Sequence, residues 1–258
     1  MTVSRIVAIT NNKGGVAKTT TCMSLGASLA EMGHRTLIVD LDPQADLTLA
    51  AGLAAEALTC SAADWLDPEG TPLPLEIETH VMTGLDILPT DPRLAGVERR
   101  LYDQDGYETT LAQKLAPWRE RYAYVLLDCP PSLGGLSIMA LTASRWVLVP
   151  VQCEYYAARR VNRLLDVIEL VKERTNPDLA YYLLATLYDQ RNRICQGVLG
   201  QLQTHFSERL MQTVIGVDTR LRESPAAGEP IITYAPRTRA SQQYRELARE
   251  LHQRLTAR

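Results

Sequence analysis

The sequence predicts an α/β fold in which a mostly parallel, twisted β-sheet carries helices on both of its faces. Near-continuous runs of apolar and β-branched residues at 5–10 and 36–40 are typical of strands that are buried on both sides. Segments with helical spacing of apolar residues separate such runs along the chain. The chain has 258 residues, 46% of them hydrophobic and 22% charged. Because no segment resembles a linker, we expect a single domain over residues 1–258.

The remaining elements follow from the same patterns. Further strands are predicted at 85–88, 124–128, 146–151, 181–186 and 214–215. Helices are predicted from Thr19 to Met32, where Gly33 provides a stop, over 152–175, and at 239–256. Residues 54–83 are rich in proline, glutamate and glycine, so we expect them to form an excursion on the surface.

Composition excludes several classes of protein. No apolar run approaches the ~18 residues that span a bilayer, and the N-terminus shows no secretory signal. The five cysteines form no C-x-x-C pair, which is typical of reduced thiols in the cytoplasm. Aromatic residues make up 6% of the chain, so a stacking platform for single-stranded nucleic acid is not expected.

A phosphate-binding loop is predicted between the first strand and the first helix. The segment Asn11–Thr20 contains Gly14 and Gly15, whose flexibility lets backbone N–H groups converge on phosphate oxygens. The helix that follows adds the partial positive charge of its N-terminus. We expect Lys18 to reach the β- and γ-phosphates and the Thr19 hydroxyl to bind Mg²⁺.

The loop departs from the strict pattern G-x-x-x-x-G-K-[ST], because Asn12 and Ala17 stand at its two glycine positions. It resembles instead the deviant Walker A motif K-G-G-x-[GA]-K-[ST]-[ST] of the ParA/MinD ATPases, a group of P-loop NTPases. The matching residues are Lys13, Gly14, Gly15, Val16, Ala17, Lys18, Thr19 and Thr20. The resemblance implies that all eight contact ATP and that the two lysines take part in catalysis. In this family the first lysine, here Lys13, reaches across an ATP-sandwich dimer to the partner's phosphates and stabilises their charge.

Acidic residues at the ends of two later strands complete the predicted site. The segment Val39–Gln44 resembles the D-x-D-P-Q segment of the same family. The resemblance implies that Asp42 positions the attacking water and that Asp40 supports the magnesium shell. Asp128 precedes Cys-Pro-Pro and resembles the Walker B acid that binds Mg²⁺ through a water. The family usually has Asn where this chain has Asp46, and an added anion near phosphates is unfavourable unless it points away or meets a cation.

The resemblance covers nearly the whole chain and points to the Soj/ParA partition branch, through the segments 85–90, 150–157, 221–231 and 236–248. It implies a DNA-partition ATPase with ATP and Mg²⁺ as cofactors, which forms a homodimer in the ATP state. The implied partners are non-specific double-stranded DNA and a ParB-like centromere-binding protein, and the implied location is the cytoplasm, on the nucleoid. Pro236 is expected near the adenine. Because the loop follows the first strand directly, no separate N-terminal helix-turn-helix domain is expected.

The distribution of charge supports a DNA-binding surface. The net charge of the whole chain is -3, which by itself argues mildly against nucleic acid. Residues 1–158 carry 11 basic and 19 acidic side chains, however, whereas residues 159–258 carry 16 basic and 11 acidic ones. Such asymmetry is typical of a surface that faces a polyanion. The predicted DNA contacts are Arg220, Arg222, Arg237, Arg239, Arg245 and Arg249.

Two alternatives stay open. A MinD-like or other cargo-positioning ATPase would bind a membrane or a protein scaffold, but the C-terminal segment lacks the Phe and Trp of a membrane anchor, so a membrane partner is not expected. A metabolic ATP-dependent enzyme on the same fold, such as a synthetase or a reductase, would need a small-molecule pocket that the sequence does not reveal.

Overall fold

The structure is a computed structural model, and it describes residues 4–54, 58–70, 80–154 and 157–257. Seven strands form one sheet in the order β3-β4-β2-β5-β1-β6-β7. They are β1 (Arg5–Ile9), β2 (Thr36–Asp40), β3 (His80–Met82), β4 (Leu85–Leu88), β5 (Tyr124–Asp128), β6 (Trp146–Gln152) and β7 (Ala180–Thr186). All neighbouring pairs are parallel except β3 with β4. This arrangement confirms the predicted fold class.

Helices cover both faces of the sheet. They are α1 (Lys18–Glu31), α2 (Asp46–Ala50), α3 (Ala62–Leu66), α4 (Leu94–Tyr102), α5 (Thr110–Leu115), α6 (Gly135–Ala143), α7 (Ala157–Arg174), α8 (Arg193–Phe206), α9 (Arg220–Glu223), α10 (Ile231–Tyr234) and α11 (Arg239–Thr256). Short 3₁₀ turns lie at Tyr107–Thr109, Ala116–Glu120 and Pro225–Ala227. Helices α3 to α8 pack their apolar residues in one core, and α1, α2, α10 and α11 contribute to a second core on the opposite face.

Helix α1 lies unusually close to the sheet. A Cβ atom added at Gly26 would lie 2.8 Å from Cγ2 of Ile38 on β2, so only a residue without a side chain fits without a shift. The helix packs along α11, whose buried residues include Tyr244, Leu247 and Leu251 on the predicted apolar face. The predicted helices at both ends of the described chain are therefore confirmed within a residue or two.

Three predicted elements require correction. Residues 214–215 are not a strand, because the segment beside β7 forms no continuous ladder. It has isolated bridges at Leu210 and Gly216, and Ile215 donates its N–H to the carbonyl oxygen of Ala185. The helix predicted from 152 begins at Ala157 instead, because Gln152 still pairs with Thr186 in the sheet. The region 54–83 is not only the expected surface excursion, because it contributes the antiparallel edge strand β3 and also helix α3, whose Trp65 and Leu66 are buried in the core. Its residues 55–57 and 71–79 lie outside the described parts.

The register of the three central strands aligns their carboxyl ends. Asp128, the last residue of β5, pairs with Ile9 of β1 on one side and with Asp40 of β2 on the other. Ligands of open parallel sheets bind at this edge. The loop after β1 and the acidic residues after β2 and β5 therefore meet at one place.

Two expectations from composition can be compared with the structure. All five cysteines are free thiols, as their spacing predicts. Within the described parts of the chain, no helix combines the length and the apolarity that crossing a bilayer would require.

Candidate functional site

The loop between β1 and α1 is tied to the neighbouring strands. The Asn11 side chain donates to the carbonyl oxygen of Pro150 on β6 at 2.7 Å and accepts the Lys13 N–H at 3.1 Å. The Thr186 hydroxyl at the end of β7 donates to the carbonyl oxygen of Val16 at 3.0 Å. These bonds hold a loop of small residues in one shape, which a backbone cradle for phosphate requires.

Ala17 adopts the left-handed conformation with φ 69°, at the position where the strict phosphate-loop pattern has glycine. This conformation costs a residue with a Cβ atom roughly 1–2 kcal/mol. Among the described residues, the other non-glycine positions with positive φ are Ala45 and Leu187, at 57° and 51°. Ala45 follows the β2 acids and Leu187 follows β7, so all three strained positions surround the same region. Such clustering is typical of binding sites.

A cavity of about 390 Å³ opens at this place. Its walls are formed by the phosphate loop, the segment after β2, and single residues from three later segments. The lining residues are Gly14, Gly15, Ala17, Lys18, Thr19, Thr20, Asp42, Gln44, Asp46, Pro131, Leu187 and Arg222. The structure thus brings most of the predicted nucleotide contacts together around one space.

Lys18 lines the cavity, and the buried carboxyl group of Asp128 lies near its ammonium. The Lys18 ammonium donates to the carbonyl oxygen of Lys13 at 3.1 Å. Burial lowers the pKa of Lys18, and the nearby Asp128 opposes that shift. Asp128 is buried and neither of its oxygens accepts a hydrogen bond within the described structure. Burial, assisted by the charge of Asp40, raises the pKa of Asp128 well above its ordinary value, while Thr19 and Lys18 act in the opposite direction.

Both carboxylate oxygens of Asp40 are engaged in hydrogen bonds inside the protein. One oxygen accepts the Asp42 N–H at 3.1 Å, and the other accepts the N–H and the hydroxyl of Thr48 at 2.9 and 2.7 Å. Burial raises the pKa of Asp40 to about 7 despite these bonds. These bonds tie the buried Asp40 to the segment that follows β2, and its expected support of the magnesium shell stays a prediction. Asp42 lines the cavity itself, as predicted, and its carboxylate accepts the Gln44 N–H at 3.0 Å.

The donor set suits Mg²⁺ bound together with a nucleotide. No group of three or more His, Cys, Asp or Glu residues within the described segments could hold a metal ion alone. Mg²⁺ at phosphate sites is usually held by one or two protein oxygens, by waters and by the phosphates themselves. The unpartnered oxygens of Asp128, with the Thr19 hydroxyl at the cavity wall, fit that pattern.

Lys13 points away from its own cavity. Its ammonium donates to the Gln152 side chain at 2.7 Å and pairs with the Glu154 carboxylate at 2.6 Å, beyond the end of β6. The side chain is 26% exposed, so a second protein molecule can reach it. The roles of Gln152 and Glu154 as partners of Lys13, and of Thr48 as a partner of Asp40, cannot be predicted from the sequence, because they depend on contacts between distant segments. Gln152 and Glu154 are polar side chains at the end of a buried strand and just beyond it, which is their one sequence signal, whereas Thr48 lies within α2 and carries no such signal.

Two further positions can now be located. Pro236 is not among the residues that line the cavity, and its carbonyl oxygen accepts a hydrogen bond from Arg245. Its expected contact with adenine stays a prediction. Asp46 does line the cavity, at the start of α2, and burial together with Asp42 raises its pKa, against the effect of Lys18. The added anion therefore lies beside the predicted phosphate position.

The six arginines predicted to contact DNA differ in whether their side chains already form hydrogen bonds or ion pairs. Arg220 pairs with Glu223, and Arg245 pairs with Glu31 through two hydrogen bonds of 2.6 and 2.9 Å. Arg239 donates to the carbonyl oxygen of Val217 at 2.9 Å. The side chains of the other three, Arg222, Arg237 and Arg249, are exposed and form no hydrogen bond or ion pair within the described segments, although the charge of Arg249 helps to lower the pKa of Glu31.

A phosphate loop flanked by two acidic strand ends defines a nucleotide-binding domain, and comparison with known proteins identifies its class. Residues 4–181 match the family model described as an AAA domain, so the chain belongs to that family of P-loop ATPase domains. Within it, the chain belongs to the Soj/ParA group of partition ATPases, as its relatives show.

The relatives match the chain over nearly its whole length. It is 40% identical over 250 residues to the sporulation initiation inhibitor protein Soj of Bacillus subtilis, which covers 96% of this chain and 98% of Soj. It is 38% identical over 256 residues to the chromosome partitioning protein ParA of Myxococcus xanthus, which covers 99% of this chain and 90% of that protein. The predicted family is therefore confirmed.

Solved structures agree in fold. A structure described as cobyrinic acid a,c-diamide synthase from Mycobacterium smegmatis, with a bound ATP analog and magnesium, has a TM-score of 0.85 and 36% identity. It covers 98% of this chain and 96% of that one. The septum site-determining protein MinD from Pyrococcus horikoshii, complexed with Mg-ADP, has a TM-score of 0.73 at 22% identity and covers 96% of each chain. The nucleotides and magnesium in these neighbours are consistent with ATP and Mg²⁺ as cofactors.

Proposed function

We propose that this protein is a DNA-partition ATPase whose ATP-bound form is a dimer on non-specific DNA. The observation that carries the proposal is the meeting of the phosphate loop, Asp42 and the unpartnered Asp128 at one sheet edge. Near full-length similarity to Soj and ParA supports the partition role. The proposed setting is the cytoplasm, with a ParB-like centromere-binding protein as the stimulating partner.

The residues of the site support separate roles in ATP hydrolysis. The loop N–H groups and Lys18 bind the phosphates, and Asp42 orients the attacking water. Thr19 and Asp128 would hold Mg²⁺, which supplies neutralisation of the charge on the phosphates when it is bound. Lys13 lies outside its own cavity and is partly exposed, which supports an action on the nucleotide of a second protomer. Hydrolysis would then remove the ligand that holds the two protomers together.

The proposed DNA surface is the basic side of the C-terminal part. The Arg237 and Arg249 side chains are exposed and form no hydrogen bond or ion pair with a described residue, although the charge of Arg249 acts on Glu31 from a distance. Arg239 and Arg245 add positive charge although they are partly engaged. Contacts of this kind to phosphates provide affinity without reading sequence. Release of the DNA would follow when the dimer separates.

One solved neighbour favours a second candidate, an ATP-dependent diamide synthase that acts on a carboxylic acid. Such an enzyme needs an acceptor pocket beside the nucleotide. A second cavity of about 380 Å³ does adjoin the first, between α1 and α2. The charged residues on its walls are Asp46 and Glu229, which would repel an acidic substrate. This charge favours the partition role over the synthase.

The proposal is tested by co-sedimentation of the protein with non-specific DNA and with anionic liposomes, each with ATP, ADP or no nucleotide. We expect ATP-dependent retention on DNA alone. Retention on liposomes would support a MinD-like role, and no nucleotide-dependent retention on either would refute partition.

Two variants test the assigned residues, through nucleotide binding, ATP turnover and retention on DNA. Lys18→Ala should lose nucleotide binding, because it removes the phosphate-binding ammonium of the loop. Asp42→Ala should keep ATP and DNA binding but lose ATP turnover, which leaves a trapped dimer. Normal turnover in Asp42→Ala would contradict the role given to that carboxylate.

A further inference from the structure

Arg222 stands on the wall of the cavity that the phosphate loop also lines. It belongs to α9, far along the chain from the loop, so no phosphate-loop motif predicts it there. The sequence predicts Arg222 as a DNA contact instead. Its place opposite Lys18 and Thr19 indicates a different ligand.

The guanidinium of Arg222 is free to bind an anion. It is exposed and forms no hydrogen bond or ion pair with another described residue. Arg220, on the same short helix, is engaged with Glu223 at 3.1 Å and does not line the cavity. Two arginines that look equivalent in the sequence therefore differ in both surroundings and availability.

The acidic residues on the cavity wall make a second positive charge beside Lys18 favourable for binding a polyphosphate. Lys18 and Arg222 carry positive charge among the described lining residues, and Asp42 and Asp46 carry negative charge. Lys18 is partly committed, because its ammonium donates to the Lys13 carbonyl and lies near Asp128. A polyphosphate entering this space meets the repulsion of Asp46, which a guanidinium on the same wall offsets.

A backbone contact shortly after α9 brings the segment that carries Arg222 close to the region after α2. A Cβ atom added at Gly228 would lie 2.7 Å from Cα of Gly52, so these two glycines touch through their main chains. Gly52 follows α2, the helix that begins at Asp46, and Gly228 ends the turn after α9. The contact holds α9 against the segment that carries the acidic wall of the cavity.

We propose that Arg222 binds the phosphates of the nucleotide and compensates the charge of Asp46. The guanidinium fork suits phosphate oxygens, which accept two parallel N–H donors. This inference deepens the proposed function and rests on it, since the ligand is the same nucleotide. It assigns Arg222 to the ATP site in place of the DNA surface.

The test is the affinity for a fluorescent ATP analogue with Mg²⁺, measured without DNA. Arg222→Ser should weaken binding about tenfold, the loss expected for one charge-assisted hydrogen bond. Arg222→Lys should recover part of the affinity, because it restores a point charge but not the fork. In the Arg222→Ser background, Asp46→Asn should strengthen binding again, since it removes the uncompensated anion.

The matched control is Arg174→Ser, which removes an exposed arginine at the end of α7, near the opposite edge of the sheet. It should leave ATP affinity unchanged. Unchanged affinity in Arg222→Ser, with reduced retention on DNA, would overturn this inference and leave the proposed function intact. Failure of the unsubstituted protein to bind the analogue would overturn both.

Discussion

The carboxyl group of Asp128 lies inside the protein, and neither of its oxygens accepts a hydrogen bond in the described structure. Burying a charged group without partners is unfavourable by several kcal/mol unless a neighbour or a change of protonation relieves it. Lys18 gives partial relief, but the adjacent Asp40 adds repulsion. The site is therefore built for a ligand that supplies the missing positive charge, at the expense of stability without it.

Asp128→Asn should raise the stability of the nucleotide-free protein by about 1 kcal/mol or more, because it removes a buried charge. The pKa of Asp128 is raised in the folded state. Its destabilising effect is therefore absent below about pH 4, the unfolded value, and grows as the pH rises from there toward the folded value. Urea unfolding at pH 5 and pH 8 should show a larger gain for the variant at pH 8.

The control for this prediction is Asp105→Asn, which changes an exposed acid and should leave the unfolding midpoint almost unchanged. Equal or lower stability of Asp128→Asn at pH 8 would contradict the account of the site. The same variant should lose Mg²⁺-dependent nucleotide binding, so that stability and binding change in opposite directions.

Single residues of the site were predictable where a motif carries them. Lys18, Thr19 and Asp42 could be assigned because the loop and the strand ends have local patterns that the chemistry demands. The engagement of Asp40 with Thr48, and of Lys13 with Glu154, could not be predicted, since hydrogen bonds between distant segments leave no periodic trace. The position of Arg222 on the cavity wall could not be predicted either, because it depends on how a distant segment packs against the loop.

At the level of elements, helix α1 shows how closely a helix can approach this sheet. Gly26 faces Ile38 on β2 and Leu85 on β4, at distances where an added Cβ atom would be 2.8 and 3.1 Å from their side chains. Alanine in place of glycine gains roughly 1 kcal/mol of helix propensity. Overpacking in a dense core costs typically 1–3 kcal/mol, so the packing effect should win.

Gly26→Ala should therefore lower the free energy of unfolding by up to about 2 kcal/mol, the packing cost less the gain in helix propensity. Gly200→Ala is the matched control, because Gly200 also lies within a helix, α8, but an added Cβ atom meets nothing within 4 Å. That control should be stabilised by about 0.5–1 kcal/mol. Chemical denaturation of both variants would show opposite signs. A stabilised Gly26→Ala would mean that α1 can move away from the sheet without penalty.

Elements were predictable in proportion to the length of their apolar pattern. The buried strands β1, β2 and β5 have continuous apolar runs, and their order of appearance already indicates a parallel sheet. The strand β3 is short and half exposed, so its sequence carries no alternation. Residues 214–215 are apolar because they pack beside β7 and α11. Their sequence therefore resembles that of a buried strand, although the structure forms no continuous ladder there.

For the whole molecule, the basic and acidic residues that are separated along the chain also lie in different places in the structure. The C-terminal part places the Arg237 and Arg249 side chains at the surface without a hydrogen bond or ion pair to a described residue, whereas the acidic residues of the site gather at the sheet edge. The net charge of the chain conceals this arrangement. Each phosphate neutralised by such a residue releases counterions, so the salt dependence of binding reports how many contacts exist.

Arg249→Glu should weaken ATP-dependent retention on DNA roughly threefold to tenfold at moderate salt, and should reduce the slope of log affinity against log salt by about one. Arg119→Glu, an equal change of charge at an exposed position before β5, is the control and should have little effect. Co-sedimentation over a range of salt concentrations measures both quantities. A similar loss in the two variants would point to net charge instead of a defined surface.

The outer side of β7 is already occupied by the chain itself. Leu183 donates its N–H to Arg209 and accepts the N–H of Met211, both at 2.8 Å, and the Ala185 carbonyl accepts from Ile215. An incoming strand from another molecule therefore finds these main-chain groups taken. Growth into sheet-extended filaments is disfavoured at this border. At this edge, a higher-order assembly therefore has to form through side chains and bound ligands. Contacts of that kind can form when a nucleotide binds and separate when it leaves.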